Sequence, residues 1–165
     1  MSESLAIIDL GTNTFHLLIA EIDEREEFKI LEKFKEPVEL GEHGLDSGRI
    51  SDAAYERGLQ AIRRLQQIIT LRQITEVRAI ATSAIRSASN GKDFTATVKA
   101  ETGMDVKVIN GNEEASLIFE GVRNGIQMPP DQDVLVLDIG GGSVEFIVAR
   151  DGKPLLLRSL DIGAA

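Results

Sequence analysis

The sequence predicts an α/β protein: a mixed sheet flanked by helices, followed by the first strands of a second copy of the same fold. Two observations carry the prediction. Apolar runs of strand length alternate with amphipathic segments of helix length, in the order three strands, helix, strand, helix, strand, helix and three strands again. The stretch A-I-I-D-L-G-T-N-T-F-H-L-L-I-A (Ala6 to Ala20) also recurs without a gap as L-V-L-D-I-G-G-G-S-V-E-F-I-V-A (Leu135 to Ala149). At a constant offset of 129 residues, Asp9 falls on Asp138, Gly11 on Gly140, Thr14 on Ser143 and Ala20 on Ala149. Two copies of one hairpin imply two related domains, expected at residues 1–125 and 133–165 with a linker at 126–132.

Leu5 to Leu10 and Phe15 to Ile22 are apolar runs too short for helices, and the Gly11 to Thr14 turn lies between them. After a charged turn at 23–27, Phe28 to Leu40 is expected as a third strand, loosening at Pro37, and the three glycines of residues 41–48 mark a loop. Ser51 is placed to cap a helix reaching about Arg72, with Tyr55, Leu59, Ile62, Leu65 and Ile69 on one face and Arg57, Arg63, Arg64 and Gln67 toward water. Glu76 to Thr82 returns as a strand. Asn90-Gly91 then breaks the chain before a helix ending at Gly103, and Val106 to Ile109 is the next strand. Asn112 is expected to cap a helix through about Asn124 whose inner face carries Ala115, Ile118, Phe119 and Val122. Pro129-Pro130 punctuates the linker ahead of the second hairpin, and Leu155 to Leu160 is the last strand. A second domain reduced to three strands lacks covering helices, so the chain reads as a fragment or as half a fold.

At 165 residues, 42% hydrophobic and 27% charged, the chain can bury a real core. It has no cysteine, which excludes disulfides and thiolate chemistry. A net charge of −9 opposes nonspecific binding to nucleic acid or to an anionic membrane, so an anionic ligand would have to be held locally. The N-terminus has acids around a short apolar run and no basic region before it, which makes a cytoplasmic location the default expectation.

Each hairpin sets an acid at a strand end and glycines behind it, where backbone N–H groups can turn toward an anion. Thr12, Asn13, Thr14 and Ser143 add polar donors, and Gly140, Gly141 and Gly142 leave room for a phosphate. Neither copy fits a dinucleotide or P-loop fingerprint, because the residues after the glycines are β-patterned and no Gly-Lys-Ser/Thr is present. Glycines in one such turn would be read as turn formers; duplication favours a pair of phosphate-cradling loops. His16, at the place of Glu145 in the repeat, reads as a packed strand histidine.

D-L-G-T-N-T-F-H and L-D-I-G-G-G-S-V-E resemble the two phosphate loops of the actin-like ATPase superfamily. Together with A-T-S-A-I-R-S-A-S-N and N-G-N-E-E-A-S-L-I-F-E-G-V, they are similar to the exopolyphosphatase and guanosine pentaphosphate phosphohydrolase family, in the family's order along the whole chain. The resemblance implies a ribonuclease H-like domain pair with a cleft between the domains, Mg²⁺, and water attack on a terminal phosphoanhydride of polyphosphate or guanosine pentaphosphate. It implies Glu114 as general base, Arg86 as a phosphate clamp, Asp138 and Glu145 as catalytic acids, and Asp9, Asp138 and Glu145 as metal ligands. Gly11, Thr12, Asn13, Thr14, Gly140, Gly141, Gly142 and Ser143 are the implied phosphate-binding residues. The sequence departs from the family at Ser116, where an arginine is common, and at Glu39, where basic residues are. Without the resemblance, Glu114 is a first-turn acid complementing a helix dipole and Arg86 a solvated helix-start residue. An actin-like kinase of a sugar or carboxylic acid and a non-catalytic nucleotide- or phosphate-binding domain are the alternatives. This chain alone is expected to turn over little, and a homodimer, if formed, would use parts outside it.

Overall fold

The computed structural model describes residues 3–24, 28–42 and 48–164, so parts of the expected charged turn and of the glycine loop lie outside the described residues. Two compact units divide at Val108/Ile109.

In the first unit, strand β1 (Glu3–Leu10) pairs antiparallel with β2 (Thr14–Ile22), and β2 with β3 (Phe28–Pro37). Helix α1 (Asp52–Leu71) leads to β4 (Glu76–Ala81), which runs parallel to β1; the short helix α2 (Ser83–Ser87) and α3 (Gly91–Thr102) lead to β5 (Val106–Val108). The mixed sheet has the order β3-β2-β1-β4-β5. Alternation decides its faces: Ala6, Ile8 and Leu10 of β1 and Phe15, Leu17 and Ile19 of β2 all enter one buried cluster with α1 and α3. Phe94 of α3 lies at its centre, edge-on to Phe15 and to Tyr55 with ring centroids 6.4 and 5.0 Å apart.

The α1 stripe is as the periodicity predicts, and Ser51 caps the helix by accepting from the Ala54 N–H. Arg57 differs from expectation. It turns from the water face to donate to the Val38 carbonyl at 2.5 Å and the Glu39 carbonyl at 2.9 Å, because the chain leaving β3 presents acceptors that no strand uses. The third strand accordingly ends at Pro37, and residues 38–40 bond to the first turn instead.

The second unit holds helix α4 (Gly111–Gly125) and the antiparallel sheet β6 (Asp133–Ile139), β7 (Val144–Arg150) and β8 (Lys153–Leu160). Residues 109–125, expected with the first domain, group by their contacts with the second sheet. Ala115 and Phe119 of α4 are buried with Ile147 and Ala149 of β7, so the apolar stripe of the helix is spent on the second sheet. Its cap is corrected, from Asn112 to Asn110, whose extended backbone lets the side chain accept from the Glu113 N–H at 2.9 Å.

The two hairpins share register as well as sequence. Asp9 opposes His16 and Asp138 opposes Glu145, and the ladders to the third strand are both irregular at equivalent places, Ile19/Ala20 and Val148/Ala149. The faces are used differently: Leu135, Leu137 and Ile139, the equivalents of Ala6, Ile8 and Leu10, are exposed. Among the described residues no helix is long and apolar enough to cross a membrane.

Candidate active site

In the first unit, β1 and β4 are parallel, so the chain leaves both at the same edge of the sheet. Leu10 is in register with Ala81, and the Thr82 N–H donates to the Leu10 carbonyl. That edge therefore carries both Asp9 with the Gly11 to Thr14 turn and the α2 turn with Arg86. Asp9 is half-buried on β1. A methyl group at Gly11 would lie 3.0 Å from the Thr14 carbonyl oxygen, which is why the tight turn takes glycine there. The N–H groups of Val38 and Glu39 donate to the Asn13 carbonyl, and that of Leu40 to the Thr12 carbonyl at 2.7 Å. These braces occupy carbonyls, so the donors of Thr12 and Asn13 are not what they consume. Thr12 is buried, Asn13 exposed and Thr14 half-buried.

Arg86 is half-buried in α2, a helix of one turn that packs through Ala84 and Ile85. The sequence did not anticipate α2 as a separate element. Two residues after it hold it in place. A methyl group at Gly91 would overlap the Ile85 carbonyl oxygen, and the buried Asn90 side chain accepts from the Ile50 N–H and donates to the Ile50 carbonyl, both at 2.9 Å.

In the second unit, the Gly140 N–H donates to the Ser143 carbonyl at 2.9 Å and its carbonyl accepts from the Ala164 N–H at 3.0 Å. Gly163 lies so close over the turn that a side chain there would overlap Gly141. The N–H groups of Gly141 and Gly142 are not among those these braces use. Ser143 is buried. Asp138 is exposed at the end of β6, whereas Glu145, directly opposite on the same face of the sheet, keeps 1% of its surface and accepts from Ser159 Oγ at 2.7 Å. Glu114 is half-buried in the first turn and a half of α4, where its N–H donates to the Asn110 carbonyl.

The structure thus groups Asp9, Gly11 to Thr14 and Arg86 at one edge of the first unit, and Glu114, Asp138, Gly140 to Ser143 and Glu145 in the second. Sequence reasoning missed Gly111 and Ser159, and read Asn90-Gly91 only as a chain break. Ser159 could have been found by its alternation with Leu157 in β8; the close approaches at Gly91 and Gly111 have no local signature.

Among the described residues no group of three or more histidine or acidic side chains could hold a metal. Mg²⁺ commonly takes only one or two protein carboxylates and completes its shell with water and phosphate oxygens. The exposed Asp138 beside the Gly140 to Ser143 turn suits that donor set.

Residues 18–165 match the model of the Ppx/GppA phosphatase family. The chain belongs to this family. It is similar to an exopolyphosphatase from Cytophaga hutchinsonii, with 39% identity and a TM-score of 0.90 over 98% of this chain and 51% of that one. A Ppx/GppA family member from Aquifex aeolicus matches at 30% identity and a TM-score of 0.81, over 99% of this chain and 52% of that one. The ethanolamine utilization protein EutJ from Carboxydothermus hydrogenoformans shares the fold at 19% identity and a TM-score of 0.53, over 96% of this chain and 52% of that one. The fold is that of the actin-like ATPases, and the chain spans about half the length of the relatives it matches.

Proposed function

We propose that this Ppx/GppA protein contributes to a hydrolase that releases the terminal orthophosphate of inorganic polyphosphate or guanosine pentaphosphate. The observation that carries the reading is the packing of α4 on the second sheet, which brings the helix bearing Glu114 onto the face that presents Asp138 and Glu145 beside a glycine turn. In the first unit, Arg86 and the N–H groups of Gly11 to Thr14 hold phosphate oxygens, and Asp9 marks the strand end from which that turn springs. In the second, the turn from Gly140 to Ser143 holds phosphate in the same way. Glu114 orients a water and takes its proton as the water oxygen bonds to the terminal phosphorus and the bridging P–O bond breaks, leaving a chain one phosphate shorter. Asp138, or alternatively Asp9 in the first unit, would hold Mg²⁺, which would neutralise phosphate charge.

The Cytophaga relative is an exopolyphosphatase by name, which supports the reading, and a cytoplasmic location is proposed with it. Orthophosphate release from polyphosphate, guanosine pentaphosphate and ATP is the test. Release from either of the first two supports the hydrolase. Consumption of ATP alone, with transfer to a sugar or carboxylic acid, would replace it with a kinase.

A further inference from the structure

We propose that Ser159 is a positioning residue, which holds the Glu145 carboxylate and seats the first turn of α4, and Glu114 with it, on the second sheet. The importance given to Glu114 rests on the hydrolase reading; the seat itself rests on geometry alone. Ser159 stands opposite Glu145 in the β7–β8 ladder and donates its hydroxyl hydrogen to Glu145 Oε1 at 2.7 Å. Above this rung lies Gly111, the first residue of α4. A methyl group there would overlap Ser159 Cβ and come within 2.7 Å of Ser159 Oγ, so the helix backbone rests directly on the serine.

Glu145 keeps 1% of its surface and accepts its hydrogen bond from Ser159. A buried carboxylate is costly, and two features offset that cost here. One is the charge-assisted hydrogen bond from Ser159. The other is the positive end of α4, whose N-terminal residue lies over the same serine. The contacts interlock. Glu145 fixes the serine rotamer, the serine fixes the height of Gly111, and Gly111 begins the turn in which Asn110 caps Glu113 and the Glu114 N–H bonds to Asn110. A carboxylate enclosed in this way is better suited to holding α4 than to entering the hydrated shell of a metal, which assigns ion binding in this unit to Asp138.

Amide hydrogen exchange of this chain tests the seat without any need for turnover. Ser159→Ala should speed exchange at Glu113, Glu114 and Ala115 by about tenfold, the value of one hydrogen bond, while Val122 to Gly125 exchange as in the parent. Gly111→Ala should disturb the same amides, and the pair Gly111→Ala with Ser159→Gly, which removes the overlap but also the hydroxyl, should recover the Gly111→Ala part of the change and retain the Ser159→Ala part. Unchanged first-turn exchange in Ser159→Ala overturns the proposal. So does an equal change along the whole of α4, which would make the serine a general packing residue. Where the parent releases orthophosphate, Ser159→Ala should lower kcat about tenfold with KM within twofold. A parent that releases none from polyphosphate or guanosine pentaphosphate, while the exchange pattern holds, would sink the hydrolase reading and leave the seat standing.

Discussion

Asp138 and Glu145 face each other across the β6–β7 ladder, yet Asp138 is exposed while Glu145 is almost wholly enclosed. Cross-strand partners share a face, so the difference comes from what lies over each: the N-terminus of α4 covers the Glu145 rung, and Asp138 stands at the strand end beside the glycine turn. Two acids on one rung are thereby separated in what they can reach. Asp138→Asn should raise the Mg²⁺ concentration for half-maximal phosphate release by about tenfold or more, and Glu145→Gln should leave it within about threefold while lowering kcat. Equal metal dependence in both variants would count against the division.

Glu113 and Glu114 separate on a second axis. Glu113 is the third residue of α4 and its N–H is the one the Asn110 side chain caps; a charge there contributes about 0.3–1 kcal/mol through the helix dipole. Glu114, one step on, is the proposed general base. In whichever length of the protein releases orthophosphate, Glu114→Gln should lower kcat by about 10²-fold or more with melting little changed, and Glu113→Gln should leave kcat within a few-fold. Similar small effects at both would make Glu114 a helix-end charge.

Much of the fold was legible because it is written in periodicity. The α1 stripe and both hairpins follow from alternation at spacings of 3.6 and 2, and the gapless repeat is matched by equivalent hairpin registers; the ladder irregularities at Ile19/Ala20 and Val148/Ala149 were not foreseen. What periodicity cannot say is which sheet an apolar stripe meets. The stripe of α4 was equally suited to either sheet, and only the burial of Phe119 with Ile147 and Ala149 decides it. Arg57 was misplaced for a related reason: its partners are carbonyls that became available only because β3 stops at Pro37. The acids and glycines of the candidate site stand out in the sequence by their repetition, while Asn90, Gly91, Gly111 and Ser159 act through contacts 6 to 48 residues away along the chain.

The surface carboxylates predict a pH response with a definite sign. Arg72 holds Glu32, Arg63 holds Glu101 and Arg150 holds Asp133 below their ordinary values, in each case first through a side-chain hydrogen bond. A carboxyl whose folded pKa is depressed adds stability that is present above its unfolded pKa and is lost as pH falls through the folded one. The urea midpoint should therefore be level near neutrality and fall below about pH 4.5, less steeply in high salt because all three pairs are exposed. Arg63→Gln and Arg72→Gln should flatten the fall for the first unit, and Arg150→Gln for the second. A fall of unchanged slope in all three variants would assign it to other groups.

One chemical change, glycine to alanine, should have opposite signs at two helical positions. Gly91 opens α3 with its Cα against the carbonyl of Ile85, and a methyl group would overlap that oxygen and lie 3.0 Å from its carbon. The obstacle is backbone, which cannot rotate aside, so Gly91→Ala must push α3 and α2 apart or shift the α2 turn that carries Arg86. Overpacking of this kind costs about 1–3 kcal/mol. Gly121 lies inside α4 with nothing within 4 Å of the position a methyl group would take, and there alanine removes conformational freedom from the unfolded chain at no steric cost. Gly121→Ala should stabilise the second unit by about 0.5–1 kcal/mol. Urea unfolding of the two variants checks the signs, and phosphate release separates the consequences: Gly91→Ala should raise KM, because the proposed phosphate clamp Arg86 is displaced, and Gly121→Ala should leave it unchanged. A destabilised Gly91→Ala protein with the KM of the parent would show that the α2 turn moves as a whole with Arg86 still in place, and that Gly91 serves packing alone.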